Sequence, residues 1–136
     1  MSRILVIDDD ELFIKLMVHA LTQRGHEVDF ALDGLEGSKK FAATTYDAVV
    51  CDIVMPEQEG VKTITSMRRT RPDVGIVAIS GGLTKFAGKS LDILEIAARL
   101  GADRTLTKPF QLSELVKTVE EAIAAHRPQA PLAASV

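Results

Sequence analysis

Three stretches of the chain are almost unbroken apolar runs, at residues 3–8 (RILVID), 46–52 (YDAVVCD) and 74–80 (VGIVAIS). Short runs of this kind, rich in β-branched residues, predict strands buried on both faces, as in a parallel sheet covered by helices. Two weaker β-favouring runs, 27–31 (EVDFA) and 103–107 (DRTLT), bring the set to five. Between the runs the apolar spacing turns helical. Leu12, Phe13, Leu16, Met17, Ala20 and Leu21 are expected along one face of a first helix that Gly25 stops. Further helices are predicted over 34–44, 60–70, 90–100 and 112–126, the last with Leu112, Leu115, Val116, Val119 and Ile123 as its stripe.

The order is therefore a strand and a helix, repeated five times. Such an alternation implies right-handed crossovers and an open sheet with helices on both faces, where ligands bind beyond the carboxyl ends of the strands. A chain of 136 residues accommodates one domain of this type, expected over 1–126. Residues 127–136 (RPQAPLAASV) show neither period and are expected to be a flexible tail or a linker stub.

Composition narrows the partners. A net charge of -3 gives no broad attraction to nucleic acid or to an anionic membrane, so neither is expected as a partner. No apolar run approaches the roughly 18 to 20 residues that span a bilayer. A single cysteine, Cys51, leaves no internal disulfide and no cysteine zinc cluster, and a cytoplasmic location is expected. Cys51 lies between Val50 and Asp52 on a strand expected to be buried, where it reads as a small core residue. His19, His26 and His126 have no metal-ligand spacing.

The strand ends carry the chemistry. Asp8 and Asp9 close the first strand and Asp52 closes the third, and in an open sheet these strands are neighbours if the order reverses between them. Asp10 reads instead as a helix N-cap. Converging carboxylates repel one another unless a cation neutralises them, and an all-oxygen set suits a hard ion such as Mg²⁺. Ser80 at the end of the fourth strand and Lys108 after the fifth add a hydroxyl and an ammonium suited to phosphate oxygens. Taken singly, each of these residues is an ordinary strand-end serine or solvated lysine. In this order, with the acids, they describe phosphoryl chemistry.

Four ordered motifs, VIDDDE, DIVMP, the IS of the fourth strand and LTKPF, make residues 3–126 resemble the response-regulator receiver family. The resemblance implies a flavodoxin-like three-layer (βα)5 fold with strand order 2-1-3-4-5. It implies Asp52 as phosphoacceptor, with Mg²⁺ held by Asp8, Asp9, Asp52 and the backbone carbonyl of Val54. Ser80 would hydrogen-bond the phosphoryl group, Lys108 would pair with it, and Lys108–Pro109 would be a cis peptide. The implied donor is a histidine kinase or histidine phosphotransferase, and the implied output is contact with a downstream protein target. Such a chain is a phosphoacceptor that assists its own phosphorylation and dephosphorylation, not an enzyme with turnover. An aspartyl-phosphate phosphatase would need a D-x-D-G-T loop, and IVMPEQ follows Asp52 instead.

The sequence also departs from the family. The aromatic residue usual three positions before the lysine, which serves as a switch together with the Ser80 position, is Thr105 here. The stretch GGLTKFAGKSLD after Ser80 is longer than usual and is expected to be a long, partner-specific loop. An apolar Val54, where some relatives orient water, predicts slow loss of the phosphoryl group. Two variants remain: a receiver cut from a larger regulator or hybrid kinase, and a pseudo-receiver that works without phosphorylation.

Overall fold

The five β-favouring runs form one parallel sheet in the computed structural model, which describes residues 2–53, 59–81, 83–86 and 89–126. In chain order the elements are β1 (Arg3–Ile7), α1 (Glu11–Gln23), β2 (Glu27–Ala31), α2 (Gly34–Ala43), β3 (Ala48–Asp52) and α3 (Glu59–Thr70). There follow β4 (Gly75–Ser80), β5 (Leu83–Phe86), β6 (Lys89–Asp92), α4 (Ile93–Leu100), β7 (Arg104–Thr107) and α5 (Leu112–His126). The sheet order is β2-β1-β3-β4-β7. Counting only the strands of that sheet, this is 2-1-3-4-5 in a flavodoxin-like fold. The order reverses at β1, which pairs with β2 on one side and β3 on the other.

Burial follows position in the sheet. Every residue of β3 and β4 is buried, whereas β2 and β7 at the edges are mostly exposed. Because successive strand residues point to opposite faces, the core divides in two. Leu5, Ile7, Val49, Cys51, Ile76 and Ala78 face Phe41 of α2, Ile64 and Met67 of α3, and Ala97 of α4. Ile4, Val6, Val50, Val77 and Ile79 face Ile14, Met17 and Leu21 of α1, and Leu115, Val119 and Ile123 of α5. The helices thus form two layers with the sheet between them.

The first helix keeps part of its predicted face: Met17 and Leu21 are buried and Phe13 packs against the core, but Ile14, outside the predicted stripe, is buried with them. Asp10 caps the helix, its side chain accepting from the backbone N–H of Phe13 at 3.1 Å. At 3.6 residues per turn, the phase that follows points Ile14, Met17 and Leu21 at the sheet. Leu12 and Leu16 lie on the far side, 70% and 46% exposed. Gly25, just past the helix, takes φ +90, a value side-chain-bearing residues seldom adopt.

The expected long loop after Ser80 is a second correction. Leu83–Phe86 and Lys89–Asp92 pair antiparallel as a separate two-stranded sheet, Leu83 opposite Asp92 and Phe86 opposite Lys89. The fourth helix accordingly starts at Ile93 and not at residue 90. Only Ala87 and Gly88 separate the paired Phe86 and Lys89 in the sequence, a dipeptide outside the usual Asn-Gly and Asp-Gly hairpin signals. The carbonyl of Val54 and the tail 127–136 lie outside the described residues.

Candidate phosphoacceptor site

Strand register gathers the predicted residues at one edge. Asp8 follows the last residue of β1 and is held in line with β2, its backbone N–H donating to Ala31 O at 3.1 Å. Asp52 is the last residue of β3, and Ile53 N–H donates to Ile79 O of β4 at 3.0 Å. Asp8 and Asp52 are buried, while Asp9 is exposed. Carboxylate oxygens of Asp8, Asp9 and Asp52 all lie within 4.8 Å of one another.

Lys108 follows β7, which β4 separates from β3 in the sheet. Its backbone N–H donates to Ser80 O at 2.6 Å, and the Lys108–Pro109 bond is cis, as the resemblance implied. The ammonium then sits 2.9 Å from Asp52 Oδ2 and 3.2 Å from Asp8 Oδ2. Ser80 is fully buried at the end of β4, opposite Thr107. Thr105 lies two residues further down β7, paired with Ala78 and exposed, so it takes no place in the acid cluster. Asp10 serves as the N-cap, and its backbone N–H donates to Asp8 Oδ1 at 2.9 Å.

A family model described as the response regulator receiver domain matches residues 4–120. The chain belongs to the response-regulator receiver family. It is 37% identical over 118 residues to the transcriptional regulatory protein PrrA of Mycobacterium leprae, covering 87% of this chain and 48% of that protein. It is 35% identical over 133 residues to the DNA-binding transcriptional regulator NtrC of Azospirillum brasilense, covering 98% of this chain and 26% of that one. The chain therefore spans about half or less of these curated relatives. Among solved structures, a CheY-like receiver domain protein of Methanospirillum hungatei superposes with a TM-score of 0.81 at 23% identity, over 93% of this chain and 96% of that one. A receiver domain protein of Clostridium thermocellum gives 0.79 at 27% identity, over 92% and 96%.

The electrostatics of the receiver's acid cluster are uneven. Burial pushes the Asp8 carboxyl up to about 6; the Asp10 N–H opposes this, repulsion from Asp52 adds to it, and Lys108 opposes it. For Lys108 burial disfavours the ammonium, but its bonds and attraction to Asp52 and Asp8 outweigh this and raise the pKa. Burial, then the negative charges of Asp52 and Asp8, pushes the Cys51 thiol up, which fits its place in the core. Among the described residues no buried side-chain nitrogen or oxygen lacks a hydrogen-bond partner.

Two residues that shape the receiver's site were not singled out from the sequence as belonging to it. A Cβ on Gly60, in the first turn of α3, would lie 2.5 Å from Asp52 O and closer still to Ile53 Cα. Glycine lets the helix start press directly on the backbone that carries Asp52, and a glycine inside a helical pattern is the available signal. The apolar pattern puts Phe13 only on a helix face. Its ring lies 4.9 Å from Lys108 Nζ, a contact between residues 95 positions apart that no local pattern announces.

Proposed function

We propose that this receiver is a phosphorylation switch in which Asp52 accepts a phosphoryl group from a phosphohistidine of a histidine kinase or histidine phosphotransferase. The observation that carries the reading is the shared ammonium: Lys108 Nζ stands between Asp52 and Asp8 at the mouth of a largely buried acid cluster. In the transfer the nitrogen–phosphorus bond of the donor breaks as an Asp52 oxygen forms its bond to phosphorus, and the donor imidazole leaves. Lys108 neutralises charge on the transferred group, and Ser80 supplies a hydroxyl hydrogen bond to it.

The donor set fits Mg²⁺. Three carboxylates converge with one ammonium among them, and the ligands are oxygens only, as a hard divalent ion prefers. Asp8, Asp9 and Asp52 would hold the ion together with the carbonyl of Val54, and when bound it would draw charge off the phosphoryl oxygens. Asp8, largely protonated below about pH 6, must be ionised to take part.

The signal would leave as a change of surface read by a downstream protein, from a protein of the cytoplasm. Among the described residues no helix is long and apolar enough to cross a membrane. A second reading, a receiver belonging to a longer regulator, is favoured by the 48% and 26% shares of its relatives that the chain covers. Residues 127–136 would then be a linker after a domain spanning 1–126, and the reading frame beyond Val136 decides between the two.

The test is intact mass after incubation with Mg²⁺ and acetyl phosphate. A phosphoryl-sized gain that Asp52→Asn abolishes supports the switch. No gain at saturating donor would leave a pseudo-receiver that works without phosphorylation.

A further inference from the structure

A lysine side chain is long and flexible, and anionic partners attract its ammonium without confining it to one direction. Asp52 and Asp8 attract Lys108 at 2.9 and 3.2 Å. A third neighbour is of another kind: the ring of Phe13, whose centroid is 4.9 Å from Nζ, within the distance at which an aromatic ring attracts a cation. That ring is itself fixed by Phe110 in an edge-to-face arrangement, centroids 5.5 Å apart and planes at 61°.

The two aromatic residues come from the segments that carry the charges. Phe13 lies in the first turn of α1, with its backbone N–H bound to the Asp10 side chain. Phe110 is two residues past Lys108, beyond the cis bond to Pro109. The segment leading from Asp8 into α1 and the segment leading from Lys108 into α5 are thus joined by a ring pair as well as by an ion pair.

We propose that Phe13 is a positioning residue for phosphoryl transfer, its ring holding the Lys108 ammonium over the Asp8–Asp52 pair while that ammonium exchanges a carboxylate for a phosphoryl oxygen. The proposal rests on the phosphoacceptor reading above. An ammonium has three N–H donors, and the two carboxylates engage two of them. The ring attracts the charge as a whole, so its hold survives a change of hydrogen-bond partner. An aliphatic side chain would fill the space and exert no such attraction.

Phe13 also packs against the apolar core of the α1 and α5 layer, so its truncation alone would not separate attraction from packing. The experiment therefore grades the charge on the ring at nearly constant shape. The full chain is prepared with mono-, di- and trifluorinated phenylalanine at position 13, beside Phe13→Leu and Phe13→Tyr. Initial rates of phosphorylation by acetyl phosphate are measured at saturating Mg²⁺. Separately, the Lys108 ε-methylene proton shifts are recorded without metal or donor.

The rate is expected to fall stepwise with fluorination, by about threefold to tenfold over the series. Phe13→Leu is expected to fall at least as far, and Phe13→Tyr to stay near wild type. The Lys108 ε-protons should be shifted upfield by the ring in the wild type and relax in Phe13→Leu. A flat rate across the fluorinated series, with phosphorylation intact, overturns this proposal alone, as does an unchanged Lys108 shift in Phe13→Leu. No mass gain in the wild type overturns the phosphoacceptor reading and this one with it.

Discussion

Lys108 and Asp52 meet across a strand that belongs to neither: the lysine follows β7, the aspartate ends β3, and β4 runs between them, yet Nζ and Oδ2 are 2.9 Å apart. The contact ties the edge of the sheet to its centre beside the converging carboxylates of Asp8, Asp9 and Asp52. Lys108→Met should therefore leave two buried carboxylates without their ammonium. Since the lysine is 28% exposed, the expected loss is below that of a fully buried pair, about 1–3 kcal/mol in EDTA at pH 7.5. Urea unfolding measures it, and millimolar Mg²⁺ should restore part of the loss. Equal stability of wild type and variant in EDTA would show that the bridge contributes nothing.

Asp8 gives a pH signature. Its carboxyl titrates near 6 in the folded chain, above the ordinary 3.8, so the folded state binds more protons between those values. Stability without metal should accordingly fall as pH rises from about 4 to about 6 and then level off, by up to roughly 3 kcal/mol at 1.36 kcal/mol per unit. Asp8→Asn should lack that slope, be the more stable protein at pH 7.5 in EDTA, and gain less from Mg²⁺. An unchanged slope in the variant would assign the effect to another group.

Gly60→Ala should damage the site from behind. The added methyl meets Asp52 O and Ile53 Cα, which are backbone atoms with no side-chain freedom to yield. Overpacking of this sort costs about 1–3 kcal/mol, and displacement of α3 from the end of β3 should lower the phosphorylation rate as well. Unchanged thermal unfolding would mean that the helix start shifts without cost.

The hairpin should be dispensable for folding. Among the described residues its strands pair only with each other, and the five-stranded sheet does not include them. Replacing residues 83–92 by a short Gly/Ser linker is expected to change stability by less than about 1 kcal/mol, because a lone two-stranded hairpin is itself marginal in water. Phosphorylation by acetyl phosphate should persist. Loss of the folded state would show that the hairpin supports β4 or α4 directly.

How far the sequence revealed this arrangement depended on the range of the interactions. The runs around Ile4–Ile7, Val49–Cys51 and Ile76–Ile79 read as buried strands because continuous apolar character has little other use, and strand ends then located Asp8, Asp52, Ser80 and Lys108. On α1 the pattern points correctly to Met17 and Leu21 but not to the burial of Ile14 or the exposure of Leu12 and Leu16, because all are apolar and only tertiary packing chooses among them. The β5–β6 pairing is hard to read from the sequence because Ala87–Gly88 is a weak turn signal. The pairing of Phe13 with Lys108 depends on contacts between the two ends of the chain, which no local window contains.

The division of the core by the sheet has an evolutionary consequence. Leu5 and Ile4 are adjacent in the chain but belong to different packing neighbourhoods, one with α2, α3 and α4, the other with α1 and α5. Among the described residues these are two separate clusters, and effects at sites without shared partners tend to add. Epistasis should therefore be concentrated within each half of the core and sparse between them. One helical layer is then free to drift toward new partners while the other, and the acid cluster at the strand ends, keep their packing.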